Sequence, residues 1–108
     1  MKLTLPQKER KTMRQAVNDN EAKWQKFHRE NPDVYMLIKR FTNQAIKSGR
    51  KNYGMMSILQ RVRWHTMIET EGDSFRINNN WSPYYARLFM SDHPQHDGFF
   101  RLRSVAGE

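Results

Sequence analysis

Each of the four prolines in this 108-residue chain, Pro6, Pro32, Pro83 and Pro94, stands where a helix must begin or end. Proline lacks a backbone N–H and disfavours a helical residue before it, so it is tolerated in a first turn and stops a helix elsewhere. Asn31-Pro32-Asp33 is the clearest start: Asn31 can cap, Pro32 fits the first helical position, and Asp33 suits the positive end of the helix dipole. Val34, Leu37, Ile38, Phe41 and Ala45 then recur at helical spacing, with Ile46 flanking, until Lys47 and Gly49 supply a cation and a left-handed stop. A helix is predicted over 32–48. Ser82-Pro83 repeats the start, Pro94 ends that helix by His93, and Tyr85, Leu88 and Phe89 share one face. Thr4-Leu5-Pro6-Gln7 matches a capping box.

Between these marks the signals are weaker. Met13, Ala16 and Val17 form a thin stripe, Asn18 to Glu21 is polar enough to end one helix and cap another, and Trp24, Phe27 and His28 follow. Gly54 can cap a further helix, with Tyr53 and Ile58 at the two positions of a hydrophobic staple. That helix runs through Met56, Leu59, Val62 and Thr66 to Glu69, and Trp64 and Ile68 give it a second apolar flank, which predicts packing on both sides. Ser74 to Ile77 alternates as a strand does. So does Phe99 to Arg103, with Phe100 and Leu102 facing one way and Phe99, Arg101 and Arg103 the other. The expected fold is mainly α with a minor β element. A basic N-terminal helical arm (1–30) precedes a small helical core domain with a short β hairpin or wing (31–108).

Charge bounds the partners. Nineteen Lys and Arg stand against eleven Asp and Glu, a formal +8 that favours anionic surfaces, nucleic acid first. From Val34 to Ile68 there is no acidic residue at all, while Lys39, Arg40, Lys47, Arg50, Lys51, Arg61 and Arg63 lie there. Segregation of this kind points to a basic face more directly than net charge does. The absence of cysteine excludes disulfides and thiolate sites. No apolar run is long enough for a membrane span, and the first residues lack a secretory core, so a soluble cytoplasmic protein is expected.

No enzymatic motif emerges. Asp92-His93-Pro94-Gln95-His96-Asp97 holds metal-ligand types, and its Asp-His-Pro resembles the start of HNH nucleases. No downstream Asn and His complete that pattern, and Pro94 breaks the register between the two histidines. Glu69, Glu71 and Asp73 crowd a turn, where solvated acids collect, and the glycines are too scattered for a phosphate loop. The expectation is no catalysis, cofactor or metal.

Nucleic-acid contact, DNA before RNA, is the favoured alternative. Phosphate contacts are expected from Arg50, Lys51, Arg61, Arg63, Arg101 and Arg103, and base or backbone contacts from Asn78, Asn79, Asn80 and Arg87. The triple asparagine is the puzzle, since one would serve a turn. A protein-binding module using Trp24, Trp64, Trp81 or Tyr84-Tyr85 is the runner-up, and a homodimer with an incidental basic surface is the third.

The order helix, helix, strand, helix, strand resembles a winged helix, which implies that residues 83–93 read a groove and 99–103 belong to a wing. A helix-turn-helix joins its helices by three or four residues, whereas thirteen-odd positions, Thr70 to Ser82, intervene here. Separately, "NPDVY", "RVRWHT", "INNN", "YYARLFMSDHP" and "GFFRLR" together resemble a group of short, uncharacterised proteins encoded in phage and prophage genomes. That resemblance implies a setting in a bacterial host cell, where small basic proteins serve as regulators or accessories.

Overall fold

Residues 13–70 and 77–101 are described by a computed structural model, and the expectations for Thr4 to Gln7, Ser74 to Arg76, Leu102 and Arg103 lie outside them. Within them the fold is mainly helical. The α-helices are α1 (Met13–Glu30), α2 (Pro32–Lys47), α3 (Met55–Trp64) and α4 (Ser82–Asp92). A π-helical turn, His65–Glu69, extends α3, and single 3-10 turns, Asn79–Trp81 and Pro94–His96, flank α4.

The polar stretch expected to divide α1 does not. Asn18 to Glu21 lies inside one continuous helix, because Asn and Asp cost only a few tenths of a kcal/mol each while flanking Ala, Lys and Glu favour helix. Trp24 is buried near the end of α1, stacked on Tyr84 at 5.4 Å between centroids and meeting Tyr85 edge-on at the same distance. The second half of the segment set apart as an arm is thus built into the core. Asn31 turns the chain, and its side chain works backwards: Nδ2 donates to the Phe27 carbonyl at 3.0 Å, closing α1 rather than capping α2.

Helix α2 follows its pattern. Val34 and Ile38 have no exposed surface and Phe41 almost none, and Gly49 closes the helix at φ +98°. Gly54 caps α3 as expected, and Met55, Ile58, Leu59 and Val62 are buried. The second flank is a correction in part: α3 does meet both α2 and α4, but Trp64 and Ile68, 57% and 60% exposed, take no part in that packing. The π turn lies where Thr66 donates through its hydroxyl to the Val62 and Arg63 carbonyls, both at 3.1 Å, and the helical register slips by one residue.

The expected β element is reduced to one contact. Among the described residues there is no strand, only an isolated parallel bridge between Tyr53 and Phe100, with the Tyr53 N–H donating to the Phe99 carbonyl at 3.1 Å. The expected alternation fails because Phe99 and Phe100 are both buried, meeting edge-on at 5.1 Å, and Phe100 also meets Phe89 edge-on at 5.7 Å. Gly98, at φ +87°, makes the turn that brings them there.

Helix α4 is the centre of the fold. Tyr85 and Phe89 are fully enclosed, and no residue from Ser82 to Met90 is exposed. At its end the Tyr35 hydroxyl donates to Asp92 Oδ2 at 2.6 Å, pinning α2 to α4, and burial together with that carboxylate pushes the Tyr35 phenol above its ordinary range. His28 completes the cluster, stacked on Trp24 at 5.5 Å, and burial lowers its pKa despite the nearby Asp92 charge. Burial also pushes the Tyr85 phenol up, with the Trp24 indole N–H acting against it, although the two form no well-made hydrogen bond.

Candidate nucleic-acid interface

The loop Arg50-Lys51-Asn52-Tyr53-Gly54 is exposed throughout, because Gly49 ends α2 and α3 cannot begin before Gly54. Its backbone is held at Tyr53 by the bridge to Phe99 and Phe100, which sets Arg101 beside it. The result is an open cavity of about 870 Å³ lined by Arg50, Asn52, Tyr53, Met56, Pro83 and Arg101, among others, and by no acidic residue among those described. It lies off the first turns of α3 and α4, neither of which carries an acid that would neutralise the positive helix end. A second, smaller cavity of about 290 Å³ is lined by Phe41, Ser57 and Arg61, among others, and likewise by no acid among the described residues. Arg50 and Tyr53 line both, so they form the wall between the two.

The ten residues expected to meet nucleic acid separate into groups. Arg50 and Arg101 come together at the large cavity, whereas Lys51, exposed in the same loop, does not line it. Arg61 reaches the small cavity with its guanidinium 4.3 Å from the Phe41 ring centroid, and it donates to both Glu69 carboxylate oxygens at 2.8 and 3.3 Å. Those bonds and the His65 ring hold the Glu69 carboxyl below its ordinary range, so Arg61 already has a counterion. Arg63 is occupied as well, donating to the Ile77 carbonyl at 2.5 Å and to Asn79 Oδ1 at 2.6 Å. Arg87 is half-buried on α4, and Arg103 lies outside the described residues.

The triple asparagine is largely accounted for by local bonds. Asn78 Oδ1 accepts from the Asn80 N–H at 2.8 Å and caps the 3-10 turn that leads into α4, a task expected of Ser82. Asn79 receives Arg63, and Asn80 leaves its side chain exposed. Asn78→Ala should therefore cost about 1 kcal/mol in urea denaturation, as loss of a cap does, while Asn80→Ala should change stability by less than about 0.5 kcal/mol.

The His/Asp cluster after α4 is spent on packing. The His93 ring stacks on Phe89 at 4.2 Å and lies 2.9 Å through Nδ1 from the Phe89 carbonyl, and Asp92 receives Tyr35. Among the described residues no three His, Asp or Glu side chains converge as metal ligands, and no helix is long and apolar enough to cross a membrane.

Tyr53 is the residue that sequence patterning missed. It was legible only as a staple partner for Ile58, yet its 38% exposure makes it the one exposed tyrosine of four. The available signal was its place within a basic loop bounded by two glycines. No family model, curated protein or solved structure matches the chain.

Proposed function

We propose that the protein is a small, non-enzymatic nucleic-acid-binding accessory or regulator of phage type, acting in the cytoplasm of a bacterial host, with DNA as its first partner and RNA as the alternative. The observation that carries this is the cavity between Arg50 and Arg101, residues far apart in sequence, which no acidic residue lines among those described, with Lys51 exposed in the same loop. Guanidinium groups bind phosphate oxygens in bidentate fashion, and release of condensed counterions drives association. Contact in this form runs through the 50–54 loop and Arg101, with α4 adding only its half-buried first turn, rather than through a groove-reading α4 as in a winged-helix arrangement.

Binding to duplex DNA, single-stranded DNA and single-stranded RNA, measured by fluorescence anisotropy from low to moderate salt, tests this. Three phosphate contacts predict a log–log salt slope of about −2 to −3. Absence of binding to all three probes at low salt overturns the proposal.

A second reading has its own observation. Trp64, Met67 and Ile68, 57–60% exposed, share one face of the α3–π segment, whereas Trp24, Trp81, Tyr84 and Tyr85, the other expected anchors, are buried. An exposed apolar patch of this kind marks protein-interaction surfaces. A stoichiometric protein partner lost on Trp64→Ala, and insensitive to nuclease and salt, would favour it.

A further inference from the structure

Resting on the nucleic-acid reading above, we infer that the site takes single strands, with one unstacked base in the large cavity and the strand crossing the Arg50–Tyr53 wall into the small one. A duplex offers this surface only phosphates, because its base faces are covered by their neighbours. A single strand offers phosphates and π-faces together.

The walls fit that second requirement. Tyr35, Tyr84 and Tyr85 are committed to ring contacts in the core, while the Tyr53 ring stacks on no other ring among the described residues. It stands 38% exposed and lines both cavities, where a base can meet it. Across the large cavity Met56 and Pro83 give an apolar counter-wall, and Asn52 adds an amide that can donate to and accept from base edges. At about 870 Å³ the open cavity has room for a nucleotide, within the roughly 300–1,000 Å³ of sites for small ligands. Arg50 belongs to both cavities and so can hold the phosphate that links the two nucleotides, with Arg101 on the large cavity for a neighbouring one. Among the described residues no acidic side chain lines either cavity, and Glu69, which bonds the Arg61 that lines the small one, is paired with that guanidinium.

The test titrates the full chain into labelled single-stranded DNA and single-stranded RNA of about twelve nucleotides, within the site-size range of such binders, and into the corresponding duplex DNA. Single strands should bind at least about tenfold more tightly than duplex, and the DNA-to-RNA ratio identifies the natural source of the strand. Tyr53→Ala should weaken single-strand binding by about 5- to 100-fold and leave duplex binding within about twofold, while Tyr53→Phe, which keeps the ring, restores it. Ala retains the backbone N–H bonded to Phe99, and an unchanged thermal transition would exclude a folding defect. Duplex bound as tightly as single strands, or Tyr53→Ala weakening both equally, overturns the single-strand inference while leaving nucleic-acid binding intact. Binding to none of the probes overturns both.

Discussion

Trp24→Ala should destabilise the protein by about 3–5 kcal/mol, enough to remove a large part of the stability of a domain this size. The indole is the main anchor of α1: it stacks on Tyr84, meets Tyr85 edge-on, and is covered on its other side by the parallel His28 ring. Truncation leaves a large void lined by rigid aromatics, which cannot collapse to fill it. Urea denaturation of wild type and variant gives the difference directly, and limited proteolysis of α1 reports whether the helix is released. Were α1 an independent arm, the cost would stay within about 0.5 kcal/mol, as for surface substitutions generally. Phe27→Ala should show a smaller loss of the same kind, since that ring is only half-buried against Trp81 at 4.8 Å.

Reversing Arg50 and Arg101 together to Glu should reduce nucleic-acid affinity by about 100-fold or more at low salt and shallow the salt slope by about two. Both residues are exposed and line the same cavity, so the substitutions remove two phosphate contacts and place repulsion in their stead without disturbing the core. The double reversal Lys26→Glu with Arg29→Glu is the matched comparison. Those cations are exposed on α1, and reversing them lowers the net charge by the same amount. Anisotropy titrations of the two variants side by side separate a local site from overall charge. A site at the cavity demands a much smaller loss for the α1 variant, and equal losses would mean that affinity follows net charge alone.

What patterning reveals follows from the range over which each signal acts. Caps, prolines and left-handed glycines act within one turn, so Pro32, Gly49, Gly54 and Gly98 mark their boundaries in the sequence as they do in space. Burial depends on partners that periodicity does not name. The apolar spacing of Trp64 and Ile68 is genuine, but among the described residues no element packs over that side, and both remain exposed. Phe99 and Phe100 are adjacent and yet both buried, because the chain turns at Gly98 and lays them against α4 instead of extending. The same limit applies to the site. Arg50 and Lys51 were identifiable as exposed cations, while Arg61, Arg63, Asn78 and Asn79 have internal partners up to sixteen positions away. For Tyr53 only its place in a basic loop between two glycines was legible, since its exposure depends on which aromatic rings the core has already taken.

The bridge from Tyr53 to Phe100 has a consequence for the order of folding. The helices and their turns close over short chain distances, but the walls that carry Arg50 and Arg101 meet only when the segment after Gly98 docks beside the loop that precedes α3. Long loops are closed late because their entropy must be met before the distant contact forms. The cavity is therefore among the last features to assemble, and any anion held between the two arginines clamps the chain's far end in place, so occupancy of the site would double as a signal that folding is complete.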